Sequence, residues 1–327
     1  MRRVDAIVVG GGPAGSTCAW KLRQAGLDVV VLDKTAFPRL KLCAGWVTPK
    51  ALQDLELAPA DYPHSLLTFE NLRLHWGPLS VRHASRQHSI RRWEFDDFLL
   101  RRSGAEVVQH AVRDIILENG EYVIDDAFRA NYLVGAGGTS CPVYRALFRE
   151  QNPREGMLQA ATLEQEFAYD WQDPDCHLWF FSDALPGYAW YVPKAGGHVN
   201  VGIGAMAGRL RRGDRKLRDY WDLFTQRLER RGLVRHVHYR PKGYSYYLRG
   251  TVDHVRNGNA FLAGDAAGLA TRDMCEGIGP AVQSALRAAR SIVAGADYSL
   301  VDIDRLSGSS FVSRALERRF AGAALFA

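Results

Sequence analysis

No stretch of the chain approaches the ~18 consecutive apolar residues that a membrane-crossing helix needs. Cysteine is scarce and unpatterned. Cys18, Cys43, Cys141, Cys176 and Cys275 are an odd five, with no C-x-x-C among them. That argues against a disulfide framework or a zinc site and for a reducing, cytoplasmic compartment. His236 and His238 are the close histidine pair. On a strand both rings would share a face, but no further ligands accompany them, so no metal is expected. Long repeats, low-complexity linkers and nucleic-acid motifs are missing, and no nucleic-acid partner is expected. Charge of one sign does not dominate either. The formal net charge is +6 with 24% charged residues, a mild basicity compatible with anionic ligands or a membrane surface.

What is present is ordinary globular material, 47% hydrophobic over 327 residues, enough for a large core and two interleaved domains. The most informative stretch is Asp5 to Lys34, DAIVVGGGPAGSTCAWKLRQAGLDVVVLDK. Ala6 to Val9 reads as a buried strand, and Ser16 to Ala25 as a helix stopped by Gly26. Leu27 to Leu32 reads as a second strand, ending in Asp33. Between the first strand and the helix, Gly10-Gly11-Gly12-Pro13-Ala14-Gly15 fits G-x-G-x-x-G. Gly10 permits the tight turn, Gly12 lets the backbone approach a pyrophosphate, and Gly15 lets helix and strand pack closely. The helix N-terminus offers free N–H groups and partial positive charge to phosphates. Asp33 stands where a carboxylate accepts from ribose hydroxyls. A signal peptide is the competing reading, since Arg2-Arg3 precedes an apolar run; glycines and a proline in mid-run argue against export.

Further along, Thr35 to Pro49 reads as a cationic loop carrying Arg39 and Lys41, in which Ala44-Gly45 allows close backbone approach to a flat ligand. Thr68 to Ile90 reads as strands outside the nucleotide-binding pattern. Arg91 to Arg102 reads as a helix, and ILENGEYVI as a hairpin with Asn119-Gly120 at its tip. Met157 to Met206 reads as antiparallel strands of the second domain, and Leu217 to Arg230 as an amphipathic helix. Asn259 to Leu262 is a last buried strand, followed by Gly264-Asp265 and then by Glu276-Gly277-Ile278-Gly279 before a helix. The domains expected are residues 1–60, 91–150 and 252–327 for the nucleotide, and 61–90 and 151–251 for the substrate. No second nucleotide-binding βαβ unit is visible.

Taken together, GGGPAGS, FPRxKxCAG, the R-x-x-F-D helix opening, GYxWxxPK with xVNVGIG, and GDAAG followed by EGI resemble the geranylgeranyl reductase family. That family belongs to a wider group of flavoproteins including aromatic hydroxylases and flavin-dependent halogenases. The resemblance covers roughly residues 4 to 294. It implies an α/β fold: a Rossmann-like, GR2-type FAD-binding domain with an inserted antiparallel-sheet substrate domain. It implies FAD as the bound dinucleotide. The reductant would be NADPH or NADH bound transiently, or a ferredoxin-like protein. On this resemblance Gly10, Gly12, Pro13, Ala14, Gly15, Asp33, Lys34, Arg39, Cys43, Ala44, Gly45, Arg92, Val112, Gly264, Asp265, Gly277, Ile278 and Gly279 would contact FAD. Asp265 would accept from ribityl hydroxyls, or else cap the next turn. The N–H groups at Gly277 to Gly279 would face the pyrimidine edge. Arg92 would lie near the phosphates, or be a solvated helix-start arginine. Cys43 would contact the isoalloxazine, or be a small buried hydrophobe. Tyr188, Trp190 and Pro193 match the family's substrate motif; Tyr188 and Trp190 make an apolar wall over the flavin, or core packing. Tyr244, Tyr246 and Tyr247 would line the same cavity on composition alone.

Two departures bear on activity. Gly137 takes the place of the acid that hydroxylases carry in this stretch. The halogenase motif W-x-W-x-I-P is incomplete, with Tyr188 and Val192 at its first and fifth positions. The chain given also carries only a short helical stretch after the flavin motifs, where family members often have a longer part enclosing lipid substrates. The first expectation is reduction of a carbon–carbon double bond in an apolar, isoprenoid-like substrate, with Cys43, Trp190 and Tyr188 as candidate catalytic residues. Alternatives are monooxygenation of an aromatic or polyketide-like substrate, and electron transfer with a partner protein. The basic run Arg209 to Arg218 would dock an acidic redox protein or touch a membrane peripherally, or be a solvated charge cluster.

Overall fold

The computed structural model describes residues 1–64, 66–307 and 311–321. The described residues form two compact units, one within 1–39, 93–155 and 247–314, the other within 40–92, 156–246 and 315–321.

The first unit is built on a parallel sheet. β1 (Arg2–Val9) runs into α1 (Pro13–Gln24) and then β2 (Val29–Asp33), which pairs with β1 in parallel, Ala6 opposite Val29 and Val9 opposite Leu32. Every residue of β2 is buried, as a parallel strand covered on both faces requires. Fully burying each such Val or Leu contributes roughly 2 kcal/mol. α1 begins three residues before the expected Ser16 because Pro13, with no N–H to lose, fits the first helical turn. β6 (Glu106–Gln109) extends the sheet beyond β2; β9 (Phe128–Gly135) and β16 (Ala260–Leu262) extend it beyond β1, all in parallel. β15 (Arg256–Asn257) adds an antiparallel edge, and β7 (Ile115–Glu118) and β8 (Glu121–Ile124) form a hairpin against β9. Its turn is Asn119-Gly120, both at positive φ (51° and 81°), the backbone that favours this dipeptide. α3 (Arg92–Arg102), α4 (Pro142–Leu147) and α7 (Ile278–Ala294) complete the unit's helices, and α1 packs on α7.

The second unit is one eight-stranded sheet in the order β14-β10-β13-β12-β11-β4-β5-β3. Its strands are β3 (Trp46–Val47), β4 (Leu67–Trp76), β5 (Leu79–Ser89), β10 (Gln159–Ala168), β11 (Cys176–Phe180), β12 (Gly187–Lys194), β13 (His198–Met206) and β14 (Lys242–Tyr247). One pair departs from the expected antiparallel pattern. β11 runs parallel to β4, Leu178 opposite Leu74. These strands come from separate pieces of chain, so no hairpin sets their direction. α6 (Leu217–Arg230) lays Trp221, Phe224 and Leu228 into a core with Trp179, Tyr191, Val199, Val201 and Ile203. Among the described residues, α2 (Pro49–Asp54) and α5 (Ala207–Arg212) also belong to this unit, and α8 (Phe311–Ala321) belongs to it from residue 315 onward.

The boundaries differ from those expected by two to five residues at 91–92, 151–155 and 247–251, and by more at two places. Residues 40–60 group with the second sheet, because β3 pairs with β5 and α2 packs on β5. Residues 315–321 likewise group there instead of with the nucleotide unit. His236 and His238 lie outside any strand, and His236 takes a left-handed backbone (φ 57°). Among the described residues no helix is long and apolar enough to cross a membrane.

Candidate functional site

In the first unit the glycine turn closes on itself. A Cβ at Gly15 would lie 1.7 Å from the Gly10 carbonyl oxygen, and one at Gly10 (φ +108°) 2.4 Å from the Ala136 carbonyl oxygen. Both positions are glycine because backbone already fills the space. Gly12 differs. Its added Cβ would meet only Arg39 Nη2, at 3.4 Å, so this face of the turn is open. Gly12 caps α1 without a side-chain hydrogen bond, and the first turn holds no acidic residue. Its N–H groups and partial positive charge are therefore open to an anion such as a pyrophosphate.

Asp33 is buried at the end of β2. Its Oδ2 accepts from Gly11 N (2.8 Å), and its Oδ1 from Thr35 N (3.0 Å) and Thr35 Oγ1 (2.9 Å). It thus braces the glycine turn from below. Arg39 lies across it, Nε 3.9 Å from Asp33 Oδ2 and Nη1 3.5 Å from the fully buried Asp96. Lys34 is exposed, and Val112 is buried in the unit's core.

The second cofactor motif meets the first. A Cβ at Gly264 (φ +62°) would lie 3.1 Å from Ala14 Cβ and 3.2 Å from Ala281 Cβ. The Gly264-Asp265 turn is therefore wedged between the start of α1 and the start of α7, and Gly264 N donates to Ser284 Oγ (2.9 Å). At the α7 start, Gly277 lies close to Asp265, where an added Cβ would stand 3.4 Å from Oδ1. Glu276 Oε1 accepts from Gly279 N (2.5 Å). Burial pushes the Glu276 carboxyl up to about 7, opposed by that N–H and reinforced by Asp273 and Asp265. Two helix starts, an open glycine face and a cluster of carboxylates converge in one unit. This set fits a dinucleotide: N–H groups for phosphates and carboxylates for hydroxyls. Arg154 was not foreseen. Its guanidinium stacks on Tyr144 (3.9 Å) and Tyr247 (5.1 Å), donating to the carbonyls of Thr139 and Ala266 (3.2 Å for the latter). It ties the Asp265 turn to the end of β9.

In the second unit the sheet face opposite α6 carries a polar network under an aromatic wall. Strand alternation puts Tyr188, Trp190 and Lys194 of β12, Asn200 and Gly202 of β13, and Glu164 and Glu166 of β10 on that face. Pro193 points to the other one. The Trp190 indole lies flat over Gly202, where a Cβ would stand 2.1 Å from its ring. Tyr188 packs beside it, ring centroids 5.7 Å apart. Trp190 Nε1 donates to Asn200 Oδ1 (2.7 Å), and Asn200 Nδ2 donates to the Cys43 carbonyl (3.3 Å) and to Glu164 Oε2 (3.4 Å).

Lys194 is fully buried, an uncommon state for a lysine. Its ammonium donates to the carbonyls of Ala44 (2.8 Å) and Ile90 and sits 3.2 Å from Glu166 Oε2; Glu166 also pairs with Arg91 (2.9 Å). Gly45 (φ +70°) is glycine for this reason, since a Cβ would meet the Ile90 oxygen and Lys194 Nζ, each at 2.1 Å. The glycine expected to admit a flat ligand instead admits the protein's own lysine and carbonyl. Cys43 remains half-buried, its Sγ accepting weakly from Gly45 N (3.4 Å). Arg92, expected at the phosphates, is buried in the second unit's piece of chain, its charge acting on Glu164. The tyrosines part company: Tyr244 and Tyr246 stack with each other (6.3 Å), whereas Tyr247 lies under Arg154.

A family model described as an NAD(P)-binding Rossmann-like domain matches residues 8–63. A menaquinone reductase from Mycolicibacterium smegmatis is 32% identical, over 91% of this chain and 78% of its own. A digeranylgeranylglycerophospholipid reductase from Methanopyrus kandleri is 31% identical, over 61% of this chain and 57% of its own. The crystal structure of a geranylgeranyl bacteriochlorophyll reductase-like protein from Thermoplasma acidophilum superposes with a TM-score of 0.79 at 21% identity, covering 99% of this chain and 83% of that one. The chain is a FAD-dependent oxidoreductase and belongs to the geranylgeranyl reductase family.

Proposed function

We propose that the protein reduces a carbon–carbon double bond of an apolar, isoprenoid-like substrate. The observation that carries this reading is the Tyr188–Trp190 wall, joined through Asn200 to the backbone of Cys43. A flat apolar surface suits an alkene chain, and the half-buried Cys43, whose carbonyl meets the same Asn200 as the indole, would supply the proton such a reduction needs. FAD, when bound, supplies the hydride. The open Gly12 face and the first turn of α1 would hold its phosphates, and Asp265 its hydroxyls. Lys194 and Asn200 keep the Cys43–Gly45 loop in place, while Gly202 seats the indole. Menaquinone reductase and digeranylgeranylglycerophospholipid reductase, the relatives named above, carry reductase names consistent with this class.

Electrons would come from NADPH, NADH or a ferredoxin-like protein. The exposed cations Arg211, Arg212, Arg215, Lys216 and Arg218 offer an acidic donor, or an anionic membrane surface, a place to dock. The test is anaerobic. The flavoprotein is reduced with dithionite, unsaturated isoprenoids or prenylated quinones are added, and flavin reoxidation is followed with product mass. Reoxidation with a product two hydrogens heavier is expected. A hydroxylated product formed only after oxygen is admitted would overturn the reading in favour of monooxygenation.

A further inference from the structure

Glu164 stands in the middle of the second unit's network and takes no part in the reduction as outlined. It is 3% exposed; Asn200 across the sheet donates to it, and three cations act on its charge. Those cations are Lys41, whose ammonium sits 3.3 Å above the Tyr244 ring, Lys194 on β12, and Arg92 at the start of α3. Glu166, two residues along β10, is already neutralised by Lys194 and Arg91. Burial pushes the Glu164 carboxyl up to about 7, against the pull of Asn200 and of those three cations.

Asn200 is the joint of this network. Its oxygen is pinned by Trp190 Nε1 at 2.7 Å, while its one amide nitrogen serves both the Cys43 carbonyl and Glu164, at 3.3 and 3.4 Å. Both of those contacts are long. A protonated carboxyl accepts weakly and tolerates a 3.4 Å separation. An ionised one makes a charge-assisted bond, which is shorter by several tenths of an ångström. With the oxygen end fixed, Asn200 cannot approach Glu164 without leaving the Cys43 carbonyl or dragging the indole.

We propose that Glu164 is a positioning residue whose protonation state, transmitted through Asn200, sets the placement of the Cys43–Gly45 loop against the Trp190 wall. This deepens the reading of that face as the reducing site and rests on it for functional meaning. The loop movement itself stands or falls separately. In the protonated enzyme the loop is held as described here. On ionisation Asn200 turns toward Glu164 and Cys43 is released.

The experiment therefore reads the thiol and not turnover. In the FAD-loaded protein with Cys275→Ser, the iodoacetamide alkylation rate of Cys43 is followed by peptide mass spectrometry from about pH 5.5 to 8.5. The expected profile has an inflection near 7 beyond the thiolate's own rise. Glu164→Gln, which keeps the shape and the neutral form, should remove it. The ratio of rates at about pH 8 and pH 6 should then fall about threefold or more, a modest effect for a step that a full pKa unit would make tenfold. Asn200→Ala should remove the inflection as well, and it carries the test if Glu164→Gln does not fold. An inflection that survives Glu164→Gln overturns the proposal while leaving the anaerobic product test untouched.

Discussion

Three glycines of the cofactor turn look alike in sequence and differ in what they can bear. At Gly15 a methyl group would overlap the Gly10 carbonyl at 1.7 Å, so Gly15→Ala must move backbone. A loss of about 3 kcal/mol is expected, the upper range for overpacking, read as a lower urea midpoint in the apoprotein. Gly12 has an ordinary extended backbone (φ −74°) and only an arginine tip nearby. Gly12→Ala should leave apoprotein stability within about 0.5 kcal/mol, as substitutions away from packed features do. Its methyl would nonetheless stand on the face that a pyrophosphate must approach, and FAD affinity should fall about tenfold or more, the equivalent of about 1.4 kcal/mol. Titrating apoprotein with FAD by flavin fluorescence checks this. Unchanged affinity would place the phosphates elsewhere. The roles of Gly10 and Gly15 were legible because spacing alone dictates where backbone must pass close to backbone. That Gly45 serves a buried lysine was not, because Lys194 and Ile90 are far from it in sequence.

β12 and β13 show how an element writes a site. Their period-two pattern places Trp190, Lys194 and Asn200 on one face, and GIG in β13 leaves a floor on which the indole lies. Gly202→Ala would put a carbon 2.1 Å from the ring and lift it from Asn200. A cost of about 2 kcal/mol is expected, together with a shift in tryptophan emission; a silent substitution would mean the indole is not seated there. Lys194→Met removes the charge that Glu166 and two carbonyls share. Breaking such a buried pair typically costs 3–5 kcal/mol, and here Arg91 still covers Glu166, so about 2 kcal/mol is expected from thermal unfolding. The strands themselves, the Asn119-Gly120 hairpin and the α6 helix were readable from periodicity and turn residues. Glu164 and Glu166 were not readable as parts of the site. Their strand is ordinary in composition, and only the pairing of β10 with β13 brings them beside Asn200. The parallel pairing of β11 with β4 was hidden for the same reason, since it joins pieces about a hundred residues apart.

Across the molecule, buried titratable groups pull stability in opposite directions with pH. On the α6 side of the second sheet, Asp173 accepts from His177 Nε2 (3.0 Å), and His177 Nδ1 meets His75 Nε2 (3.1 Å). His75 stacks on Trp179 (4.9 Å), and burial, with His177 and nearby arginines, holds its pKa down at about 4. A base depressed from 6.5 contributes stability that is present above the unfolded value and lost as pH falls toward 4. Glu164 has the opposite sign. Its folded value of about 7 lies above the unfolded 4.5, so the folded state holds a proton the unfolded chain has released. Its contribution is complete below about pH 4.5 and is lost as pH rises through 7. Over the acid range the two slopes offset each other, and Glu276 and His177 add to the same two sides. The sequence could not show this balance, because burial and not residue type sets each shift. Glu164→Gln keeps the neutral form at every pH and removes one side. The stability difference between Glu164→Gln and the parent protein should therefore move in favour of the variant by about 3 kcal/mol between pH 4.5 and 7.5. Urea denaturation across that range measures it. A difference independent of pH would show that Glu164 is ionised in the folded protein, and would remove the basis for its control of the Cys43 loop.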